Sequence, residues 1–431
     1  MGMLQGISSG AALDEAGLGD LLGRPVGAPF SLEEMAGLFH AVVSDSTGKV
    51  GRRVTEVSAV LRRELFGNVA IPMAPIEMSN ACASDCLFCG WRVSNRAMKR
   101  LKMNPDLIMP QVEYLLDHGI HYIEFVSGDD IQAVRGLLPE LITRTRKLFD
   151  ERGIKGKIAF CTLALTQQQY RDLRELGADA MVVWQEAYDP DVFREHIVGG
   201  PKAFGISDNW KVDRAGDGCV FRIESQERAL RAGLEVAMGS MLGLNPDVGV
   251  EFLATVDHAR GLKARHDFSF KHPLIIGMPL WNAITTRATD LRPAESRNVV
   301  DIFPAIAGLY LMALPDVSTW IFPNCRVPMA VQIEAARVAG VFTSTEVKLG
   351  PGGYLPSVIR DRRERGLNVE ELVEQVRTVL GKDGSVDEGD LQSVLDEREQ
   401  FMHHFHGHEV YERALEGAGL KLESTMTSHP G

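Results

Sequence analysis

Apolar positions recur at three- and four-residue intervals through the first 70 residues and then give way to short apolar runs that alternate with helical stretches. SLEEMAGLFHAVVSD opens with Ser31 and carries Glu34 three residues later, the pairing in which a hydroxyl and a carboxylate cap backbone N–H groups reciprocally, and RRVTEVSAVLRRELFG continues the helical spacing. Residues 1–70 are therefore expected to form an N-terminal helical extension. From residue 71, strands are expected at 71–79, 121–127, 157–162, 180–186, 234–242, 267–272, 317–323 and 341–345. Helical patterns such as PDLIMPQVEYLLDHG, TQQQYRDLRELG and PMAVQIEAARVAG lie between them and close on the glycine that ends helices.

Eight such alternations over about 280 residues match a closed α/β barrel of the (β/α)8 TIM type, expected over 71–346, with an open doubly wound sheet as the alternative. Beyond it, LGPGGYLP reads as a turn-rich loop. LNVEELVEQVRTVLG and VDEGDLQSVLDEREQFMHHF then read as helices, so residues 347–431 are expected as a C-terminal loop and helical appendage.

Composition narrows the function. The chain has 431 residues, 45% hydrophobic and 24% charged, enough for a large core, and its formal net charge of −12 argues against a nucleic-acid footprint, which needs clustered Lys and Arg. No apolar run approaches the roughly 20 residues that span a bilayer, and the N-terminus lacks a basic segment followed by an apolar one. A cytoplasmic protein acting on a small molecule is expected, with neither membrane nor nucleic acid as partner. Six cysteines in such a chain point to metal-binding, catalytic or inert thiols rather than a disulfide framework.

In a barrel of this type the chemistry lies at the C-terminal ends of the strands. The polar residues fall there: Cys82, Cys86 and Cys89 follow the first strand, SGDD (127–130) ends the second, Cys161 and Thr162 the third, and Gln185 and Glu186 the fourth. Arg326 follows the seventh, and Thr343 and Ser344 lie on the eighth.

Three thiols in NACASDCLFCGWR suit neither complete pairing nor a closed zinc site, which wants four ligands; a distant fourth is conceivable, but no second C-x-x-C exists. An iron–sulfur cluster of four irons held by three thiolates leaves one iron open to a non-protein ligand. The C-x3-C-x2-C spacing, with Phe88 before the last cysteine, resembles the cluster loop of radical S-adenosylmethionine (SAM) enzymes. NACASDCLFCGWRVSN, VVWQEAYDPDVF and GGPKA (199–203) are similar to the branch holding the tyrosine lyase 2-iminoacetate synthase, the [FeFe]-hydrogenase maturases and the tryptophan lyase of 3-methyl-2-indolic acid, and LGPGGY (349–354), by itself only a turn, resembles a segment of the tyrosine lyase and one maturase.

That resemblance implies one [4Fe-4S] cluster on Cys82, Cys86 and Cys89, with SAM chelated at the open iron and an external flavodoxin- or ferredoxin-type electron donor. It implies SAM contacts from Phe88, from Gly128 and Asp129 (Asp130 competing for the carboxylate role), from Glu186 and from Arg222, eleven residues before Gly233. It also implies an amino-acid substrate, tyrosine or tryptophan foremost, whose carboxylate meets Arg326 with Thr343 and Ser344 beside it. Hydrogen abstraction by a 5′-deoxyadenosyl radical and carbon–carbon cleavage or fragment migration are the expected chemistry, in cofactor or natural-product biosynthesis. A carbon-skeleton mutase or cofactor maturase is the alternative, and a non-catalytic iron–sulfur or zinc protein stands outside the enzyme class. The segment 204–221 is longer than the branch requires and could cover the mouth. Cys161, Cys219 and Cys325 are expected to be structural, and HHFHGH (403–408) a solvated helix face.

Overall fold

The computed structural model describes residues 1–10, 13–282, 297–380, 398, 400, 401, 404 and 406–425. Eight parallel strands follow one another around a barrel: β1 (Val69–Ser79), β2 (Tyr122–Ser127), β3 (Lys157–Cys161), β4 (Ala180–Val182), β5 (Glu235–Met238), β6 (Leu274–Met278), β7 (Thr319–Pro323) and β8 (Phe342–Ser344). They pair in the order β7-β6-β5-β4-β3-β2-β1-β8. The two ends of that order approach each other through a parallel bridge between Ile321 and Gly340 and a bond from Val341 N to Ile321 O of 3.1 Å. This is the expected (β/α)8 TIM-type architecture, with helices on the outside and side chains of alternate strand residues filling the inside.

The sixth strand is not where periodicity puts it. Residues 267–272 form a turn closed by Ser269 and His272, and the strand is the next run, Leu274–Met278. Alternation in DFSFKH mimics a half-exposed strand, whereas a parallel strand covered on both faces is continuously apolar, as LIIGM is. The regular part of the fourth strand ends at Val182, although Val183 N and Gln185 N still donate to Ala237 O and Gly239 O, and Glu186 adopts φ 70°, left-handed backbone that a glutamate rarely takes.

The N-terminal helices share the barrel's core. Leu32–Ser44 begins with the Ser31/Glu34 capping box, as the sequence suggests. Lys49–Phe66 packs on the helices after β6 and β7, where the Ser58 hydroxyl donates to the carbonyls of Gly308 and Val338. Arg62, 1% exposed, donates to the carbonyls of Gly67, Val69 and Gly340, and so fastens that helix to the bottom of the barrel.

At the other terminus the helix Glu370–Leu380 appears where LNVEELVEQVRTVLG was expected. The helix expected in VDEGDLQSVLDEREQFMHHF falls mainly outside the described residues, and those of its residues that are described, such as Arg398 and Phe401, lie in turns and bends. The helix His408–Gly417 and strand β9 (Lys421–Leu422), parallel to Val69–Ala70, bring the chain back to the barrel. Among the described residues no helix is long and apolar enough to cross a membrane.

Candidate active site

The loop after β1 has little regular structure of its own and is shaped by its neighbours. Asp85 N donates to Gly199 O at 3.0 Å, Val198 N to Asp85 O at 3.0 Å, and Leu87 N to His196 O at 2.8 Å. Gly200, at φ 81°, lies so close beneath that a Cβ there would collide with Ala83 O and with Ser84 Cα. On its other side Gly128 is equally tight, since a Cβ would meet Ala81 O and, at 2.9 Å, Cys82 Cβ. Two glycines thus let three strand ends converge, and the GGPKA segment is the cradle of the cysteine loop.

All six cysteines are free thiols, and Cys82, Cys86 and Cys89 face one cavity at the barrel mouth. Burial pushes the Cys82 thiol up to about 12, with the charge of Asp129 adding to it. Burial raises Cys86 and Cys89 as well, opposed by the Lys202 ammonium and, at Cys89, by the Gln400 amide, whose Nε2 lies 3.1 Å from Sγ. Among the described residues no set of three or more His, Cys, Asp or Glu groups is drawn together around a single ion. Three soft donors at a cavity wall, needing a cation to hold them as thiolates, fit an iron–sulfur cluster.

Phe88, 2% exposed, and the strand-2 segment line the same cavity. There the two aspartates separate. Asp130 accepts from Ser79 Oγ, from Lys102 Nζ and from the N–H groups of Gln132 and Ala133, which occupies it as the cap of the following helix. Asp129 accepts from Ser84 Oγ at 2.5 Å, sends its own N–H toward Cys82 Sγ at 3.3 Å, and lines the cavity. Of the two, Asp129 is the one placed to serve a ligand.

Opposite lies a buried charge group. Glu186 accepts from Lys202 Nζ at 2.7 Å and lies 3.6 Å from Arg222 Nη2, while the Arg222 guanidinium donates to Trp184 O. Burial works to raise the Glu186 carboxyl, but Lys202 and Arg222 outweigh it and hold the carboxyl below its ordinary range. Glu186 Oε2 and Arg222 Nη1 are both buried without a hydrogen-bond partner. One free acceptor and one free donor, side by side in a cavity wall, suit a ligand bearing a hydroxyl and a carboxylate. Arg222, 3% exposed, lines this cavity rather than facing solvent.

Arg326 stands across the same cavity. Its Nη1 donates to Leu280 O at 3.1 Å, the Phe401 ring centroid lies 4.0 Å from Cζ, and it makes no ion pair with a carboxylate among the described residues. Burial lowers its pKa, the sign of a cation that gains from an anionic partner. Ser344 also faces the cavity. Thr343 does not: its hydroxyl is 2.5 Å from Tyr411 OH on the outer layer, because neighbouring strand residues face opposite ways.

Several residues enter the site that sequence spacing did not single out. Lys202 sits inside GGPKA, and Glu124 interrupts the apolar run HYIEFVS, a signal that was present. Gln400 and Phe401 carry no such signal. Cys161 and Cys325, expected to be structural, line the cavity, whereas Cys219 accepts from the Gln185 amide outside it. The segment 204–221 contributes no lining residue; Gln169 ties it to the helix after β3 through the carbonyls of Ser207 and Asp208. His406, within HHFHGH, is not solvated: it is buried, bonded to Thr345 O and Gln332, and stacked on Tyr411 at 4.4 Å.

A parallel barrel whose C-terminal mouth unites a three-thiol loop, a half-satisfied charge group and an arginine that pairs with no carboxylate among the described residues suits a (β/α)8 enzyme with a metal–thiolate cofactor and a small polar ligand. No family profile matches the chain. By sequence it is 23% identical over 338 residues to 2-iminoacetate synthase of Salmonella typhimurium, across 76% of this chain and 78% of that protein. By structure it superposes on the [FeFe]-hydrogenase maturase HydG with a TM-score of 0.68 at 17% identity, covering 97% of this chain and 96% of that one. Methylornithine synthase (PylB) follows with a TM-score of 0.60 at 16% identity, over 88% of this chain and all of that one. The cysteine loop and the sequence likeness to 2-iminoacetate synthase relate the chain to the radical SAM superfamily, and the structural likenesses show that it shares their fold.

Proposed function

We propose that the chain is a radical SAM enzyme acting on a free amino acid, whose carboxylate Arg326 holds opposite the cysteine loop. The observation that carries this is the single cavity shared by Cys82, Cys86, Cys89 and Arg326. Cys82, Cys86 and Cys89 would hold a [4Fe-4S] cluster, and Phe88, Gly128, Asp129, Glu186 and Arg222 would contact SAM. Bound together and reduced by an external one-electron donor, the cluster and SAM would supply radical chemistry able to abstract hydrogen from the substrate.

The protein's own part is positioning. Lys202 keeps Glu186 ionised, so its free oxygen accepts a hydroxyl proton without taking it. Arg222 is fixed by Trp184 O and Glu186 and presents Nη1, a donor suited to a carboxylate. Arg326, flanked by Phe401 and Leu280 O, fixes one end of the substrate so that one C–H faces the cofactor side. The apolar walls of Val126, Val182 and Phe322 keep water from the reacting centre.

Carbon–carbon cleavage of tyrosine or tryptophan is the reaction proposed, and a carbon-skeleton mutase or cofactor maturase acting on another small metabolite or amino acid is the rival. Anaerobically reconstituted protein, given SAM, a reductant and a panel of amino acids, is expected to form 5′-deoxyadenosine with at least one of them and to lose this activity in Cys86→Ala and Arg326→Ala. Product masses separate two fragments from an isomer. Absence of 5′-deoxyadenosine with every amino acid tested overturns the proposal.

A further inference from the structure

Inside the barrel stands a carboxylic acid with neither a role in the chemistry above nor a partner among the described residues. Glu124 lies midway along β2, in register between Pro75 of β1 and Ala159 of β3. Alternate strand residues face the same side, so Glu124 lies one layer below Glu77, Val126 and Cys161, and it lines the same cavity as the thiols and Arg326. It is 6% exposed, and its carboxyl makes no hydrogen bond or ion pair among the described residues. Burial alone shifts it, up to about 8.

The titratable groups around it are Glu77 on β1, Tyr122 on β2, Cys161 on β3 and Cys325 after β7, none of them a cation. Glu77 is engaged by Gly350 N at 2.6 Å. Lys202 and Arg222 are committed to Glu186, and Arg326 makes no ion pair with Glu124. A buried carboxyl without a donor is costly, and its place in the wall of a cavity assigns the missing donor to whatever fills that cavity.

We infer that Glu124 receives an ammonium group of the substrate deep in the barrel, so that the amino acid is held at two points, carboxylate on Arg326 and ammonium on Glu124. The inference rests on Arg326 being the carboxylate anchor. Near pH 7 the free protein carries Glu124 as the neutral acid. On binding, the ammonium keeps its three protons, Glu124 releases one to solvent, and a carboxylate–ammonium pair forms. The α-ammonium or a side-chain ammonium supplies the same chemistry.

Isothermal titration of the cluster- and SAM-loaded protein, in two buffers of different ionisation enthalpy, tests this with four probes: L-tyrosine, L-lysine, 6-aminohexanoate and 3-(4-hydroxyphenyl)propionate. The ammonium-bearing ligand that fits is expected to release about one proton at pH 7, with affinity rising with pH until about 8. Glu124→Gln should abolish that release and weaken the ligand about 10- to 100-fold, while leaving 3-(4-hydroxyphenyl)propionate unchanged. Loss for tyrosine but not 6-aminohexanoate marks the α-ammonium; loss for 6-aminohexanoate but not tyrosine marks the side-chain group.

No proton release by the wild type, equal weakening of the ammonium-free analogue, or binding of neither amino acid overturns the inference. Infrared spectra of the wild type guard against a misfolded variant: a protonated-carboxyl band must be present before the ligand and vanish with it, and a band that is absent or persists also overturns it. Arg326→Gln separates the two ideas. If it weakens the ligands while Glu124→Gln weakens none, Glu124 alone is misassigned; if it weakens none, the anchor itself fails.

Discussion

Glu124 and Glu186 are both carboxylates inside one barrel, and their surroundings drive them apart: two cations hold Glu186 below the ordinary range, while burial without a partner carries Glu124 to about 8. The stability consequence has a definite sign. Glu124 is raised in the folded state, so the folded protein binds the extra proton; stability is complete below the unfolded value near 4.5 and falls as pH rises toward about 8. Glu124→Gln is therefore expected to match the wild type at pH 4 and to exceed it by a few kcal/mol above pH 8, in denaturant titrations of the ligand-free protein. Equal stability at both pH values would contradict the buried, unpaired state of this carboxyl. At this scale the sequence was legible wherever residue type and spacing coincide, as with the three cysteines and Arg326. It was not legible for Lys202, which reaches Glu186 from a loop 16 residues further along the chain.

Among the elements, the parallel strands follow the sequence because each is an apolar or β-branched run bounded by turns. The sixth is the exception: DFSFKH alternates like a strand but forms a turn, and the apolar run LIIGM is the strand, in register with β7. Strand ends place the site, and loop-to-loop packing holds it. Gly200→Ala is the sharpest probe of that packing, because the added methyl collides with backbone of the cysteine loop rather than with a flexible side chain. It is expected to destabilise the protein by about 1–3 kcal/mol and to lower iron content after reconstitution. Full iron content at wild-type stability would show that the loop has more freedom than its contacts suggest.

Over the whole molecule, the N-terminal helices complete the barrel's core and the C-terminal residues reach back to its mouth. Gln400 bonds to Cys89 and Phe401 covers Arg326 across the cavity, contacts separated from their partners by 311 residues in one case. No local pattern encodes such a contact, because it depends on how the chain returns to the barrel mouth. Phe401→Ala should expose Arg326 to water and raise the KM for the amino acid severalfold, with kcat little changed; an unaltered KM would make the contact incidental.

The most direct test of the central claim is the EPR spectrum of the reduced, reconstituted cluster with and without SAM. An iron left open by three thiolates predicts a spectrum that changes when SAM is added, and no such cluster signal in Cys86→Ala. A spectrum indifferent to SAM would contradict a SAM-binding cluster on Cys82, Cys86 and Cys89 and return the three thiols to a structural role.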